Sequence, residues 1–327
     1  MATTHDSASR PLPDDGGDTD RTAREVRAAL AARPKRLPTS MLYDARGSEL
    51  FEAITRTPEY YLTRAELRIL AMRAADIAGR TRAACLVELG AGSCRKTRLL
   101  LDALVADGGP LRCYVPVDIS ESALHEAAEA LSEDYPQLEI RAVRADFTFP
   151  FDTGPRDGPV LQAMLGSTLG SLPPAERHRV LQLVRAQMQA EDTFLLGVDL
   201  VKDPTALTRA YDDAAGVTAA FVRNGLKVLN DRFGADFDPA AFKPVAVWDP
   251  EEERVSHALQ AVRPQRVGVP GVGLTVSFTA GEHLWIGHSY KFRRQGLQAL
   301  LEAAGFQMDQ WWDDSENGYA MALAAPR

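Results

Sequence analysis

Residues 87–97, VELGAGSCRKT, set Glu88, Gly90, Gly92, Ser93 and Lys96 where an apolar run gives way to a helical pattern. Glycines at such a junction let the backbone turn tightly and approach a ligand closely. The next helix offers free N–H groups at its positive end. A dinucleotide clamp asks for a third glycine in G-x-G-x-x-G, and that position is Arg95. Two further sites end in acids. Asp118 closes RCYVPVDIS, and Asp146–Phe147 close LEIRAVRADF. A carboxylate at a second strand tip can accept both hydroxyls of a ribose. An acid that accepts an adenine amino proton, beside a ring that packs on the base, suits a third. Each feature also has an ordinary structural reading: a tight turn, an acid meeting a helix dipole, a loop acid beside a core aromatic. Their succession at three strand ends points to an adenosyl site without a phosphate clamp. That implies S-adenosylmethionine (SAM) as cofactor and S-adenosylhomocysteine as its product.

Those tips need elements to hold them. Residues 84–90, 112–120, 138–147, 159–168 and 192–201 read as strands. Residues 93–106, 121–135 and 173–188 read as helices between them, with Ser120 as an N-cap and prolines opening the third. This alternation implies parallel βαβ units in a doubly wound sheet, whose ligands bind beyond the carboxyl ends of the strands. Leu67, Leu70, Ala74 and Ile77 share one face of a helix expected over 63–78, and another is expected over 22–32. Residues 202–290 break the rhythm. They read as helical over 205–230 and then as short strands with Gly and Pro turns, the pattern of antiparallel hairpins. From residue 292 the α/β style returns, with a helix to 304, Gly305 past its end and a strand pair. Residues 1–20, rich in Asp, Gly, Pro, Ser and Thr, are expected to be disordered.

The net charge of −8 disfavours a nucleic-acid partner, which would want a basic face. No apolar stretch approaches a membrane span, and the first residues lack the apolar core of a secretory signal. The expectation is a cytoplasmic protein, monomeric or weakly homo-oligomeric, acting on a small-molecule amine. Cys85, Cys94 and Cys113 form an odd set with no C-x-x-C pair, which fits a reducing compartment and supplies no metal site. His283 and His288, five apart on one expected strand, would face opposite sides, so they are no metal pair either.

The strand–loop pattern, together with MLYDARGSELFEAITRTPEYYLTRAE, LGSTLGSLPP, GVDLVKDPTALTRAYDDAAGVTAAF and HSYKF, resembles the histidine-specific methyltransferase family. The resemblance covers nearly the whole chain beyond residue 20. It implies a Rossmann-like class I methyltransferase sheet, here 64–200 with 292–327, and a smaller α+β substrate-binding domain, here 21–63 with 201–291. It assigns Gly90, Gly92, Lys96, Asp118, Asp146 and Phe147 to the cofactor, where the strand-tip reading adds Glu88 and Ser93. It assigns Tyr43, Tyr60, Tyr211 and Ser289 to the substrate pocket, with Tyr43 and Tyr60 orienting the nitrogen that receives the methyl. Tyr60 and Tyr61 are adjacent, so only one of them is expected to face the ligand.

Three positions depart from the family pattern. Ser171 stands in TLGS where the family usually has T-I-G-N, and the asparagine there helps anchor the amino and carboxylate head. Gly287 stands in IGHSYK where the family has T-E-x-S-x-K, with the glutamate on the histidine imidazole. His257 stands where methionine is usual. A buried imidazole without its partner costs about 1–3 kcal/mol. The expectation is therefore N-methylation of the α-amino group of an amino acid or related intermediate other than free L-histidine. L-Histidine Nα-methylation, or a catalytically inert SAM-binding partner subunit, are the alternatives.

Overall fold

The computed structural model describes residues 16–327. Its strands, in chain order, are β1 Cys85–Leu89, β2 Cys113–Asp118, β3 Glu139–Ile140, β4 Val143–Arg144, β5 Val160–Met164, β6 Thr193–Asp199, β7 Phe242–Asp249, β8 Arg254–Ala261, β9 Gln265–Val269, β10 Leu274–Phe278, β11 His283–Tyr290, β12 Phe306–Asp314 and β13 Tyr319–Pro326. Its α-helices are α1 Gly16–Ala31, α2 Ala45–Ile54, α3 Tyr61–Thr81, α4 Thr97–Val105, α5 Glu121–Asp134, α6 Pro174–Ala186, α7 Pro204–Arg209, α8 Val217–Phe233 and α9 Arg294–Ala303.

The large sheet runs β12-β13-β6-β5-β1-β2-β3, with β4 also on β2. β1, β2, β5 and β6 are parallel to one another, and β13 joins β6 antiparallel. The central strands are apolar on both faces, as strands between two helical layers must be. Leu86, Tyr114, Leu161 and Leu195 pack into one core. Val87, Val115, Val160 and Phe194 pack into the other. A separate antiparallel sheet, β11-β8-β7, and the hairpin β9–β10 come from the segment that broke the sequence rhythm. This is a mixed α/β sheet with a small antiparallel sheet beside it.

Three expectations need correction. The unstructured segment expected over 1–20 lies, for residues 1–15, outside the described residues, while 16–20 belong to α1; extending a formed helix adds a hydrogen bond for each residue fixed. The helix expected from residue 93 starts at Thr97. Cys94 takes a left-handed φ of +53°, which releases residues 90–96 as a loop. The strand expected over 138–147 shrinks to β3 and β4, two residues each. Arg141, between them, donates to the carbonyls of Thr153 and Pro155 at 2.6 and 3.0 Å. The helical stretches expected over 205–230 are two helices, α7 and α8. Gly216 is left-handed at φ +72°, and the Asp213 carboxylate accepts from Val217 N at 2.8 Å and Thr218 N at 2.7 Å. That acid caps a fresh helix, and Tyr211 falls in the break.

The N-terminal segment is built into the smaller sheet's side of the molecule. Leu37 N donates to Trp285 O at 2.7 Å, and Trp285 N donates to Lys35 O at 3.0 Å. Its chain then makes a 3-10 turn, Thr39–Leu42, and enters α2 through Asp44, whose side chain caps Gly47 N at 2.7 Å. Gly47 packs so closely on that turn that a Cβ there would lie 1.7 Å from Leu42 O. Backbone atoms cannot yield as a side-chain tip can, so Gly47→Ala should destabilise by about 2 kcal/mol or more. Calorimetric melting of the variant reads this; an unchanged melting temperature would contradict the packing described.

Candidate active site

The loop after β1 is shaped by left-handed backbone at Gly90 (φ +72°) and Gly92 (φ +53°). A methyl on Gly90 would meet Thr168 Cγ2 at 3.4 Å and the Phe147 ring at 3.7 Å, so bare backbone keeps a slot between them. A methyl on Gly92 would meet nothing within 4 Å, so that backbone faces open space. Asp118, at the tip of β2, accepts from Gly92 N through Oδ2 and from Ser120 N through Oδ1, each at 2.9 Å. Each carboxylate oxygen has a second lone pair, which leaves acceptors for a vicinal diol. Asp146 accepts from the Thr148 amide and hydroxyl at 3.0 and 2.6 Å, which fixes it at the next tip. A diol acceptor, an aromatic ring and an approachable backbone thus surround one turn. That set fits an adenosyl group and lacks a phosphate clamp.

Glu88 lies beneath this turn. It is 1% exposed and accepts from Thr97 Oγ1 and Tyr114 OH, each at 2.6 Å. Burial raises its pKa to about 7, against the pull of both hydrogen bonds. Its oxygens hold the turn from below rather than facing the cleft. Lys96 ion-pairs with the buried Glu66 at 2.5 Å, and Glu66 also accepts from Gly166 N at 2.7 Å and Tyr319 OH at 2.6 Å. Ser93 donates to Glu52 of α2 at 2.6 Å. Two of the residues expected at the cofactor therefore also fasten the glycine turn to α2 and α3.

Facing the turn is an aromatic wall. Ring centroids step from Tyr43 to Phe51 (5.9 Å), Phe51 to Tyr60 (6.4 Å), Tyr60 to Tyr211 (6.3 Å) and Tyr211 to His257 (4.8 Å). Tyr43 comes directly after the 3-10 turn, Tyr60 caps α3 and Tyr211 stands between α7 and α8. Desolvation pushes the Tyr43 hydroxyl up to about 12, and the charge of Asp118 adds to it, so the wall lies within electrostatic reach of the β2 tip. Desolvation also lifts Tyr60 well above its ordinary value. Both phenols stay neutral at working pH, as donors and acceptors rather than bases. Tyr61 turns the other way, and its hydroxyl donates to Asp199 at 2.8 Å.

Tyr211 is held by a buried charged group of residues. Its hydroxyl is 2.6 Å from Ser289 Oγ, and Lys291 Nζ donates to both, at 3.0 and 2.8 Å. Lys291 lies 2.8 Å from Asp199 Oδ2, and both side chains are 0% exposed. Asp199 takes a second ammonium from Lys202 at 2.5 Å. Burial works against the charge on Lys291, but Asp199 and Tyr211 outweigh it and raise its pKa. Sequence reasoning did not assign Glu66, Asp199 or Lys291. Asp199 had a legible signal, an acid at a strand tip like Asp118. Lys291 had another, two residues beyond Ser289 and so on the same face.

The remaining expected residues divide. Gly287 and His257 are cross-strand partners between β11 and β8, on the face that carries Ser289. His288 points to the opposite face, with Nδ1 2.8 Å from Ser256 Oγ. Ser171 is exposed, and its hydroxyl donates to Thr168 O at 2.8 Å within its own turn.

A family model described as histidine-specific methyltransferase, SAM-dependent, matches residues 22–326. The chain belongs to that family. The histidine N-alpha-methyltransferase of Mycolicibacterium smegmatis is 46% identical over 301 residues, covering 92% of this chain and 94% of that protein. The protein of the same name from Mycobacterium tuberculosis is 47% identical over 302 residues, with the same coverage of 92% and 94%. The more distant N-methyltransferase fsqC of Aspergillus fumigatus is 28% identical, covering 89% of this chain and 80% of that protein. This histidine-family methyltransferase is accordingly a SAM-dependent N-methyltransferase.

Glu88 gives the site a pH signature. Its ordinary pKa of 4.5 rises to about 7 in the fold, so the folded chain binds a proton that the unfolded chain has already lost between those values. Its contribution is therefore present below pH 4.5 and lost as pH rises through 7. Glu88→Gln keeps an acceptor for Thr97 and Tyr114 without the charge. Its melting temperature, taken relative to the parent methyltransferase, should be more favourable at about pH 8 than at about pH 5. A difference independent of pH would contradict the assignment.

Proposed function

We propose that this methyltransferase carries a methyl group from SAM to the α-amino nitrogen of L-histidine. The observation that carries the reading is the Tyr43–Tyr60–Tyr211 wall beside the glycine turn, with Tyr211 fixed by Ser289 and Lys291. The two relatives at 46% and 47% identity, both named for histidine, support it. The departures from the family pattern at Gly287, Ser171 and His257 point instead to some other acceptor. The relatives favour histidine over that expectation.

Bound SAM supplies a sulfonium methyl that is already activated for in-line displacement. The chain's own task is positioning and exclusion of water. Asp118 and the open backbone at Gly92 would hold the ribose, and Phe147 and Asp146 the base. Tyr43 and Tyr60, uncharged, would accept or donate hydrogen bonds at the amine and aim its lone pair. A wall of neutral rings also disfavours an ammonium ion relative to the free amine, which is the form that reacts. The Lys291 ammonium, through Tyr211 and Ser289, is placed to favour the acceptor's carboxylate. As the new C–N bond forms and the C–S bond breaks, the positive charge moves from sulfur to nitrogen.

A second reading has one specific observation behind it. A methyl at Gly287 would sit 3.7 Å from Thr39 Cγ2 and 3.9 Å from His257 Cδ2, which is ordinary contact distance. The glycine leaves that volume unfilled, and an acceptor with a larger aromatic side chain would use it. Incubation with SAM and a panel of amino acids, read by mass spectrometry, decides. Methylated histidine with release of S-adenosylhomocysteine is the expected result. Conversion of an aromatic amino acid with histidine untouched would replace the first reading by the second. No conversion of any amino acid would overturn both.

A further inference from the structure

Cys85 and Cys113 open β1 and β2, at the other end of the parallel sheet from the strand tips. Both are free thiols. They are register partners across the two strands, and both side chains enter the same core. Neighbouring strands lie about 4.8 Å apart, and a disulfide joins Cα atoms about 4.4–6.8 Å apart, so the spacing suits a bond. Cys94 enters the opposite core and can reach neither. Arg141 donates from Nη2 to Cys113 Sγ at 3.2 Å and meets Glu139 at the same distance. Its Nη1 is fixed on the carbonyls of Thr153 and Pro155, which keeps the guanidinium against the sulfur. Beside Cys85 lies a cavity of about 210 Å³, walled by Phe151, Thr153, Arg156 and Gln162. Asp152 and Pro155, also in its wall, are exposed, so the cavity reaches the surface.

We propose that Cys85 and Cys113 are a modification site, a dithiol that a small hydroperoxide closes to a disulfide between β1 and β2 and that a thiol reopens. Cys113 is the attacking sulfur, because the thiolate rather than the thiol is the nucleophile. A hydrogen bond from the Cys85 thiol, with the charge of Arg141, holds Cys113 below the ordinary thiol pKa against the opposing effects of burial and Glu139. Cys85 keeps its proton, since that same hydrogen bond and burial raise its pKa. The Cys113 thiolate bonds to one peroxide oxygen as the O–O bond breaks. The leaving oxygen takes up the proton that Cys113 gave up and departs as an alcohol or water. Cys113 is then a sulfenic acid, oxidised by the two electrons the peroxide has gained. The Cys85 sulfur displaces its hydroxyl. The S–S bond forms, the S–O bond breaks, and the Cys85 proton leaves with the hydroxyl as water. Two equivalents of a small thiol reverse the change through a mixed disulfide and are themselves oxidised to a disulfide.

Peptide mapping of the whole folded enzyme by mass spectrometry, after hydrogen peroxide and then alkylation of the remaining thiols, tests this without any variant. The expected product is a linked pair of peptides carrying Cys85 and Cys113, lighter by two hydrogens than the two thiol peptides. Dithiothreitol should abolish it, and Cys94 should be recovered as an alkylated thiol. Two variants then separate the roles. Cys85→Ser should stop at the sulfenic acid of Cys113, which dimedone traps. Cys113→Ser should leave Cys85 a thiol at the same dose, since the attacking sulfur is gone. Free thiols at both positions in the treated enzyme would overturn the proposal. So would a cross-link to Cys94, or oxidation of Cys85 that survives Cys113→Ser.

Discussion

Asp199 shares its carboxylate with two lysines and a tyrosine inside the protein, and the active site is arranged around that contact. Asp199 ends β6, Lys291 comes directly after β11, Lys202 lies just past β6 and Tyr61 opens α3. Three backbone segments are thereby tied at one buried point. A lone carboxylate at 0% exposure would be very costly, and a buried pair that loses one partner typically forfeits about 3–5 kcal/mol. Here two ammonium groups and a phenol hydroxyl divide the compensation. The pair is a device for placement more than for stability. It sets the large parallel sheet, through β6, against the end of β11 that carries Ser289 and Lys291.

That placement separates charge from the reacting zone. The fixed charges sit at the back of the pocket in Asp199, Lys291 and Lys202, and at the strand tip in Asp118. The surface between them is made of hydroxyls and rings: Tyr43, Tyr60, Tyr211 and His257. Desolvation holds the Tyr43 and Tyr60 hydroxyls in their protonated form. Methyl transfer to an amine needs an unprotonated nitrogen and a dry approach, and under the proposed function this wall would favour both. The glycine turn completes the site from the other side, with Glu88 and Thr97 clamped below it and Lys96 braced against Glu66.

How far this could be read from the chain depends on what each residue's surroundings do. The Asp118 tip was legible as an acid closing an apolar run in a strand–helix alternation, whereas the run before Asp146 read as one long strand where the fold has two short ones. The tyrosines were legible through the family motifs, as aromatics in an otherwise polar stretch. Glu88 was assigned to the ligand because it adjoins the glycines. In the fold its strand position carries it inward, where Thr97 and Tyr114 engage it. Lys291 and Glu66 were missed for the converse reason. Lysine and glutamate on helical or alternating patterns ordinarily face water, and only the tertiary pairing with Asp199 and Lys96 draws them inside. The break at residues 210–216 had no exact place in the sequence, because the helical pattern continues on both sides. The interruption comes from one cap, Asp213, and one left-handed glycine, Gly216.

The buried Asp199–Lys291 pair fixes Tyr211 and Ser289, and the proposed function assigns those two to the acceptor and neither of the pair to cofactor binding. Isothermal titration of Lys291→Met tests it most directly, since Lys202 still compensates Asp199 in that variant. S-adenosylhomocysteine should bind within about threefold of its affinity for the unaltered enzyme, while the acceptor, titrated into that complex, should bind at least about tenfold more weakly. Undiminished acceptor affinity, or loss of both ligands together, would contradict it.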